Sequence, residues 1–304
     1  MKSDMKKGTF CAICSALVFG TTPVLASITF AMGSNAMTLT FYRNIMAAPV
    51  MLLILLIRKV DLRVTKKELL SLLLISAALN APTTYLLYAA YDYIGIGLST
   101  TLHFLYPMFA VLFGRLFFKE KLDKVKILAL ILATAGVAVA TGNSDSFAMK
   151  GIILSLASAI TYSTYMVSVE RTAVNQMDSM KAMFYMCIFN AIVVGLFDLP
   201  KGNIVYALEP TVLWYTFILA VINSAFAHVL LILGIKLIGA GNAAIFSMLE
   251  PVSGVVAGFL FLGEGLPMMK LISCIIILAA VMLPIIKDRN DALKAQNDNL
   301  NDET

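Results

Sequence analysis

Residues 86–122 read LLYAAYDYIGIGLSTTLHFLYPMFAVLFGRLFFKEKL, and residues 230–266 read LLILGIKLIGAGNAAIFSMLEPVSGVVAGFLFLGEGL. Laid over one another at an offset of 144, Leu105, Pro107, Val111, Gly114, Leu116, Phe117, Glu120 and Leu122 meet Leu249, Pro251, Val255, Gly258, Leu260, Phe261, Glu264 and Leu266. Ile94-Gly95 meets Ile238-Gly239 in the same register. At an offset of 143, Lys7-Gly8 meets Lys150-Gly151, Ser15-Ala16 meets Ser158-Ala159, and Phe41-Tyr42 meets Phe184-Tyr185. Apolar stretches match by chance; shared Pro, Gly, Glu and Lys positions in constant register do so rarely, and the chain reads as a duplicated unit.

Composition says where that unit lives. Of 304 residues, 60% are hydrophobic and 13% charged, against roughly 25% charged in an ordinary soluble domain. A water-borne globule could not hide this much apolar surface, which excludes a soluble enzyme, a nucleic-acid binder and a disordered chain. A helix needs roughly 20 apolar residues to cross a bilayer. Apolar runs lie at about 8–32, 36–57, 68–90, 97–118, 124–141, 151–169, 180–198, 211–234, 240–262 and 268–286. The first run imitates a signal peptide, with Lys2, Lys6 and Lys7 ahead of it, but it is too long and its pattern recurs inside the chain. Cys11, Cys14, Cys187 and Cys274 all fall in apolar runs and read as packing residues rather than metal or redox groups.

Ten runs in two units give five each, and an odd number forces the second unit to enter the bilayer from the opposite side. Cation placement agrees. Of the 23 Lys and Arg, Lys150, Lys201 and Lys270 fall in one alternate set of segments, Arg43 and Arg115 lie within spans, and the rest share the other set with both termini. Cations collect on the cytoplasmic side. The basic connection KEKLDKVK becomes GEGLPMMK in the second unit, as expected of a loop that now faces outward. The lone Trp214 suits an interfacial belt. The predicted fold is an all-α polytopic membrane protein of 10 transmembrane helices in two inverted five-helix repeats, 7–145 and 146–287. A disordered tail, 288–304, follows, and both termini are cytoplasmic.

The run Leu249-Glu250-Pro251-Val252, followed by Phe261-Leu262-Gly263-Glu264, resembles the ninth-helix pattern of the EamA family in the drug/metabolite transporter superfamily. Leu105–Glu120 resembles its first-half counterpart, Arg43 matches an arginine common in the second helix, and the likeness runs from about Lys7 to Ile286. The resemblance implies a carrier of small organic metabolites, often outward, in the cytoplasmic membrane, with no invariant catalytic set. One departure is Tyr106, which stands where the second repeat has Glu250 and makes the two halves of any pocket chemically unequal.

Polar residues inside the spans are the candidate site. A charge at mid-membrane costs about 2.5–3.5 kcal/mol on insertion scales. Arg43 has Met186 as its repeat mate, so the fold does not demand a cation there. It is read either as an anchor for a substrate carboxylate or as a side chain snorkelling to the interface. Glu250 precedes Pro251, whose missing N–H loosens the helix at mid-depth. It suits proton coupling or a grip on a substrate amine, or else a structural pair with Arg43 or His228. His103 and His228 are read as pore lining, a proton relay or core. Asn80, Asn190 and Asn223 are pocket donors or glue between helices. Tyr85, Tyr88 and Tyr106, with the repeat mates Phe19 and Tyr162, form a candidate aromatic pocket. Gly254-x-x-x-Gly258 matches Ala110-x-x-x-Gly114 and reads as a crossing of the fourth and ninth helices, or else as a homodimer contact.

Inverted repeats are the usual build of secondary carriers, with the substrate held near the midplane. Alternating access without nucleotide, cofactor or metal is therefore expected, with protons as a candidate coupling ion and a small solute and lipid as the partners. A channel or scaffold, or a membrane-embedded enzyme, is the alternative.

Overall fold

Helix starts follow local caps and prolines. In the computed structural model, which describes residues 2–119, 124–141, 149–263, 265 and 268–302, α1 (Lys2–Phe19) stops at Gly20. Helix α2 (Thr22–Ala31) restarts with Pro23 in its first turn, where the absent N–H is an orphan anyway. Asn35 caps α3 (Ala36–Ile57) by accepting the Thr38 N–H at 2.9 Å. A reciprocal Thr65–Glu68 box opens α4 (Lys66–Ile75). A π-helical stretch, Ser76–Asn80, leads into α5 (Ala81–His103), which is followed by α6 (Tyr106–Phe118) and α7 (Lys124–Thr141).

The second half repeats the order. It runs α8 (Met149–Arg171), α9 (Ser179–Asp198), α10 (Pro210–Leu219), a π-helical Ala220–Ala227, α11 (His228–Ile238), α12 (Ala240–Ser247), α13 (Glu250–Leu262) and α14 (Met268–Asp302). Among the described residues the only other regular element is a 3-10 turn, Ala173–Gln176, and there is no strand. Glu120, Leu122, Glu264 and Leu266 of the repeat pattern, and the division at 145–146, lie outside the described residues.

Seven stretches are long and apolar enough to cross a membrane, and Tyr106–Phe117 and Leu271–Pro284 are shorter apolar helices. The runs expected at 68–90 and 97–118 are not two straight rods. Helix α5 carries the chain past residue 90 to a bend at Gly95 (φ 70°, ψ 168°), and the chain breaks again at Phe104–Leu105 before Pro107. Only glycine takes that φ without strain. The tail expected to be disordered is helical through Asp302; its Ala, Leu, Lys and Gln are good helix formers. The outer surface is apolar, with Phe10, Ile57 and Phe117 all about two-thirds exposed, as lipid requires.

The two halves share their irregularities. Gly239 (φ 81°, ψ 158°) bends the second half 144 residues after Gly95, and the two π-helical stretches begin 144 residues apart. Contacts are reciprocal. Helix α1 packs along α11, α8 packs along α5, and α7 packs along α14. A Cβ on Gly8 would come within 2.7 Å of Leu237 and Ile238, and one on Gly151 within 2.8 Å of Tyr93 and Ile94. Tyr185 donates to Leu62 O, and its mate Tyr42 donates to Tyr206 O. Each half thus uses the same residues to grip the other.

One end of the molecule carries a web of cations. There Arg58 meets Asp178 at 3.0 Å, Lys181 donates to Arg63 O, and Lys236 donates to Met177 O. The opposite end joins the start of α3 to the 199–209 segment, where Asn35 donates to Asn203 O at 2.8 Å.

Candidate functional site

Three helix interruptions meet at the centre: Gly20–Thr21, Phe104–Leu105 and Met248–Leu249. Gly20 is there because backbone meets backbone. A Cβ on it would collide with Glu250 O and Ser253 Oγ and lie 2.7 Å from Gly254 N. Gly254 therefore packs on the first helix break, not on the fourth helix as the sequence suggested. The sequence pattern of Gly254 shows a small residue but not its partner.

Beside these breaks lies a cavity of about 620 Å³ between α2, α3, α5, α8, α11 and α13. Ser27, Ile96, Gly97 and Gly258 carry it away from the cationic end. Seven of the candidates singled out in the sequence line it: Phe19, Arg43, Tyr88, His103, Tyr162, His228 and Glu250. Arg43 is 5% exposed, so it does not snorkel outward. One of its terminal nitrogens donates to Tyr88 OH at 3.1 Å, while its buried Nε has no partner. Glu250 is 8% exposed and accepts the Tyr106 hydroxyl at 3.1 Å. Among the described residues Arg43 and Glu250 form no ion pair, with each other or with any other side chain.

The histidines are held from behind. His103 Nδ1 lies 2.8 Å from Ser158 Oγ, and His228 Nδ1 lies 3.1 Å from Asn223 O. Aromatic mates brace them. Phe19 stands edge-on to His228 with centroids 4.6 Å apart, and Tyr162 lies 5.4 Å from His103. Tyr162 also stands edge-on to Tyr106 at 4.7 Å. Among the described residues no three His, Cys, Asp or Glu side chains converge as metal ligands. The polar groups are spread around a solute-sized space.

The other five candidates stand off the cavity. Tyr106 is behind Glu250. Asn223 accepts from Thr22 Oγ1 at 3.0 Å and is buried behind that cavity wall. Asn80 accepts from Asn190 Nδ2 at 3.1 Å, and Asn190 also reaches Asn44 Oδ1 at 3.3 Å; this trio joins α3, the first π-helical stretch and α9. Tyr85 turns away to Phe197, with ring centroids 6.1 Å apart. The sequence reading missed Tyr91, which packs 5.7 Å from Tyr88 and lines the cavity. Thr84, Tyr88 and Tyr91 lie at i, i+4 and i+7, one helix face, and that spacing was the available signal.

The profile of the EamA-like transporter family matches residues 6–142 and again 149–286. The uncharacterized transporter YvbV of Bacillus subtilis (strain 168) is 28% identical over 238 residues, 75% of each chain. The uncharacterized transporter YcbK of the same organism is 27% identical over 283 residues, 88% of this chain and 89% of that protein. One solved crystal structure superimposes with a TM-score of 0.82 at 16% identity, covering 94% of this chain and 98% of the other. At that identity the likeness is one of fold.

Proposed function

The chain belongs to the EamA-like transporter family, and from that premise we propose that it exports a small organic metabolite, such as an amino acid, by secondary-active alternating access. The observation that carries this reading is the pair of opposite charges, Arg43 and Glu250, buried on one cavity without an ion pair between them. Burying an ion costs several kcal/mol even after relaxation, roughly, and a fold built for stability alone pairs such groups or replaces them. A solute with a carboxylate and an amine supplies both counter-charges at once. Arg43, with its unpartnered Nε, takes the carboxylate as a forked donor. Glu250 takes the amine. Tyr88, Tyr91 and Tyr162 form the apolar wall.

The reading includes ten transmembrane helices in two inverted five-helix halves, 7–145 and 146–287, with the cationic end and both termini in the cytoplasm. The halves rock about the central breaks, as inverted-repeat carriers do. Protons that reach Glu250 are the coupling ion. Gly254 packs against Gly20 within the chain, so a homodimer would have to use another surface.

Counterflow into proteoliposomes, with labelled amino acids and nucleobases, tests this. Saturable, trans-stimulated uptake is expected. Flux without saturation or exchange would indicate a channel. Glu250→Gln is expected to remove the pH dependence of transport, and a variant that keeps it in full ends the proton assignment.

A further inference from the structure

The hydrogen bonds behind the two histidines decide what their front faces offer. Asn223 O is a carbonyl and only accepts, so His228 Nδ1 must carry the proton at 3.1 Å. Ser158 Oγ lies 2.7 Å from Ser155 O, another carbonyl, so its hydroxyl proton is already used. With that proton on Ser155 O, the Ser158 oxygen accepts and His103 Nδ1 carries the proton of the 2.8 Å bond. Both partners thus accommodate the same tautomer. In each neutral ring Nε2 is a bare acceptor.

Neither Nε2 is sealed inside the protein. The buried polar atoms without a partner include Arg43 Nε but neither imidazole nitrogen, and both rings line the cavity. Glu250 adds a third acceptor, because the Tyr106 hydroxyl bonds only its Oε1. Three acceptors, from α5, α11 and α13, therefore face one space in which Arg43 is the only cation among the described residues. A wall of that kind is satisfied by a group rich in N–H donors. A group of the same charge without donors leaves the acceptors unpaired, which is where recognition discriminates most strongly.

We propose that His103 and His228 are specificity-determining residues that, with Glu250, bind the substrate's cationic end through its N–H donors, so that the carrier accepts a primary or secondary ammonium and rejects a quaternary one. The proposal rests on the carrier reading above and adds the class of cation. His103 faces Ser247 in the repeat alignment and His228 faces Thr84, so neither imidazole is required by the duplicated fold.

The test uses the full-length protein in nanodiscs, with binding measured by calorimetry apart from transport. The probes are the proteinogenic amino acids, then the N,N,N-trimethyl betaine and the hydroxy acid made from whichever binds best. The betaine is expected to bind at least about a hundredfold more weakly than its parent, since each charged hydrogen bond lost is worth roughly ten- to a hundredfold. In His103→Leu and His228→Leu the preference over the betaine is expected to shrink at least about tenfold, chiefly through weaker binding of the parent. Equal binding of parent and betaine overturns the proposal. So does an unchanged preference in the two variants, or a panel in which no amine-bearing solute binds. If a leucine variant does not fold, the analogue series on the unaltered protein decides alone. Binding of the ammonium without flux of any solute would sink the carrier reading and leave this assignment standing. Flux of amine-free solutes only would do the reverse.

Discussion

Two bends in the same sequence position behave differently. At Gly239–Ala240 the N–H of Ala240 is held at 2.7 Å by Glu170 Oε2, at the cationic end of the molecule. At the equivalent Gly95–Ile96 the residue in Glu170's place is Ser27, whose hydroxyl donates to its own helix at Val24 O, 2.8 Å away. Ile96 and Ser27 line the cavity, whereas Glu170 and Ala240 do not. The backbone angles of the two glycines agree to within about ten degrees. Geometry shared by both halves therefore does not choose which end is shut. Side chains that fail to repeat make that choice, and they can be changed without touching the fold.

The comparison breaks most completely at the cavity. Arg43→Met copies Met186 of the second half and is expected to lower substrate-dependent counterflow roughly a hundredfold, the usual effect of removing one member of a buried charge contact. Expression should be preserved. Normal flux in this variant removes Arg43 from the binding site.

A second asymmetry is Gly20, whose mate is Ser163. Gly20→Ala drives a methyl into Glu250 O and Ser253 and should cost about 1–3 kcal/mol or more, read as a lower melting temperature. Ser163→Gly loses a hydroxyl bonded to its own helix at Ile160 O and should cost about 1 kcal/mol. Equal losses would mean that the two first-helix positions are packed alike.

Glu170→Ser copies Ser27 and sharpens the difference between the ends. Without its carboxylate the Ala240 N–H loses a charged hydrogen bond of about 1.5–3 kcal/mol. Maleimide labelling of Asn242→Cys in this background is expected to rise about tenfold, as the shut end opens more often. Labelling that stays constant removes Glu170 as a latch.

The smallest effect concerns Asp178, at the same end. Burial alone would raise its pKa, but the N–H groups of Lys181 and Met180 and the Arg58 guanidinium hold it below the ordinary carboxylate value. Its contribution is thus complete above the unfolded-state pKa and is lost as pH falls through the lower folded one. Asp178→Ala should cost about 1 kcal/mol near neutrality, as for a lost N-cap, and should flatten the acid side of the stability curve. An unchanged acid limb would show that the cap and the Arg58 link contribute nothing there.

The duplication was legible because Pro, Gly and Glu recur where the backbone bends, and such residues cannot be moved freely. The polar side chains that enter the cavity were half legible. Arg43, Glu250 and the two histidines stand out as costly residues in apolar runs. Tyr85 misled, because a one-turn spacing to Tyr88 does not say which of two adjacent faces is inward. The π-helical stretches add a residue to a turn and rotate everything after them, so side-chain directions beyond Asn80 and Ala227 depart from simple helical periodicity. The Gly20–Gly254 approach left no trace in the sequence beyond two small residues.

Tyr106 and Glu250 occupy equivalent places in the two halves and touch each other, which sets their hydrogen bond astride the symmetry axis. A dimer of two identical halves could not build it. With glutamate in both copies, two carboxylates would confront one another and have to share a proton; with tyrosine in both, a phenol would meet a phenol and no anion would remain. Joining the two subunits into one polypeptide is what lets a self-facing position become a donor and an acceptor.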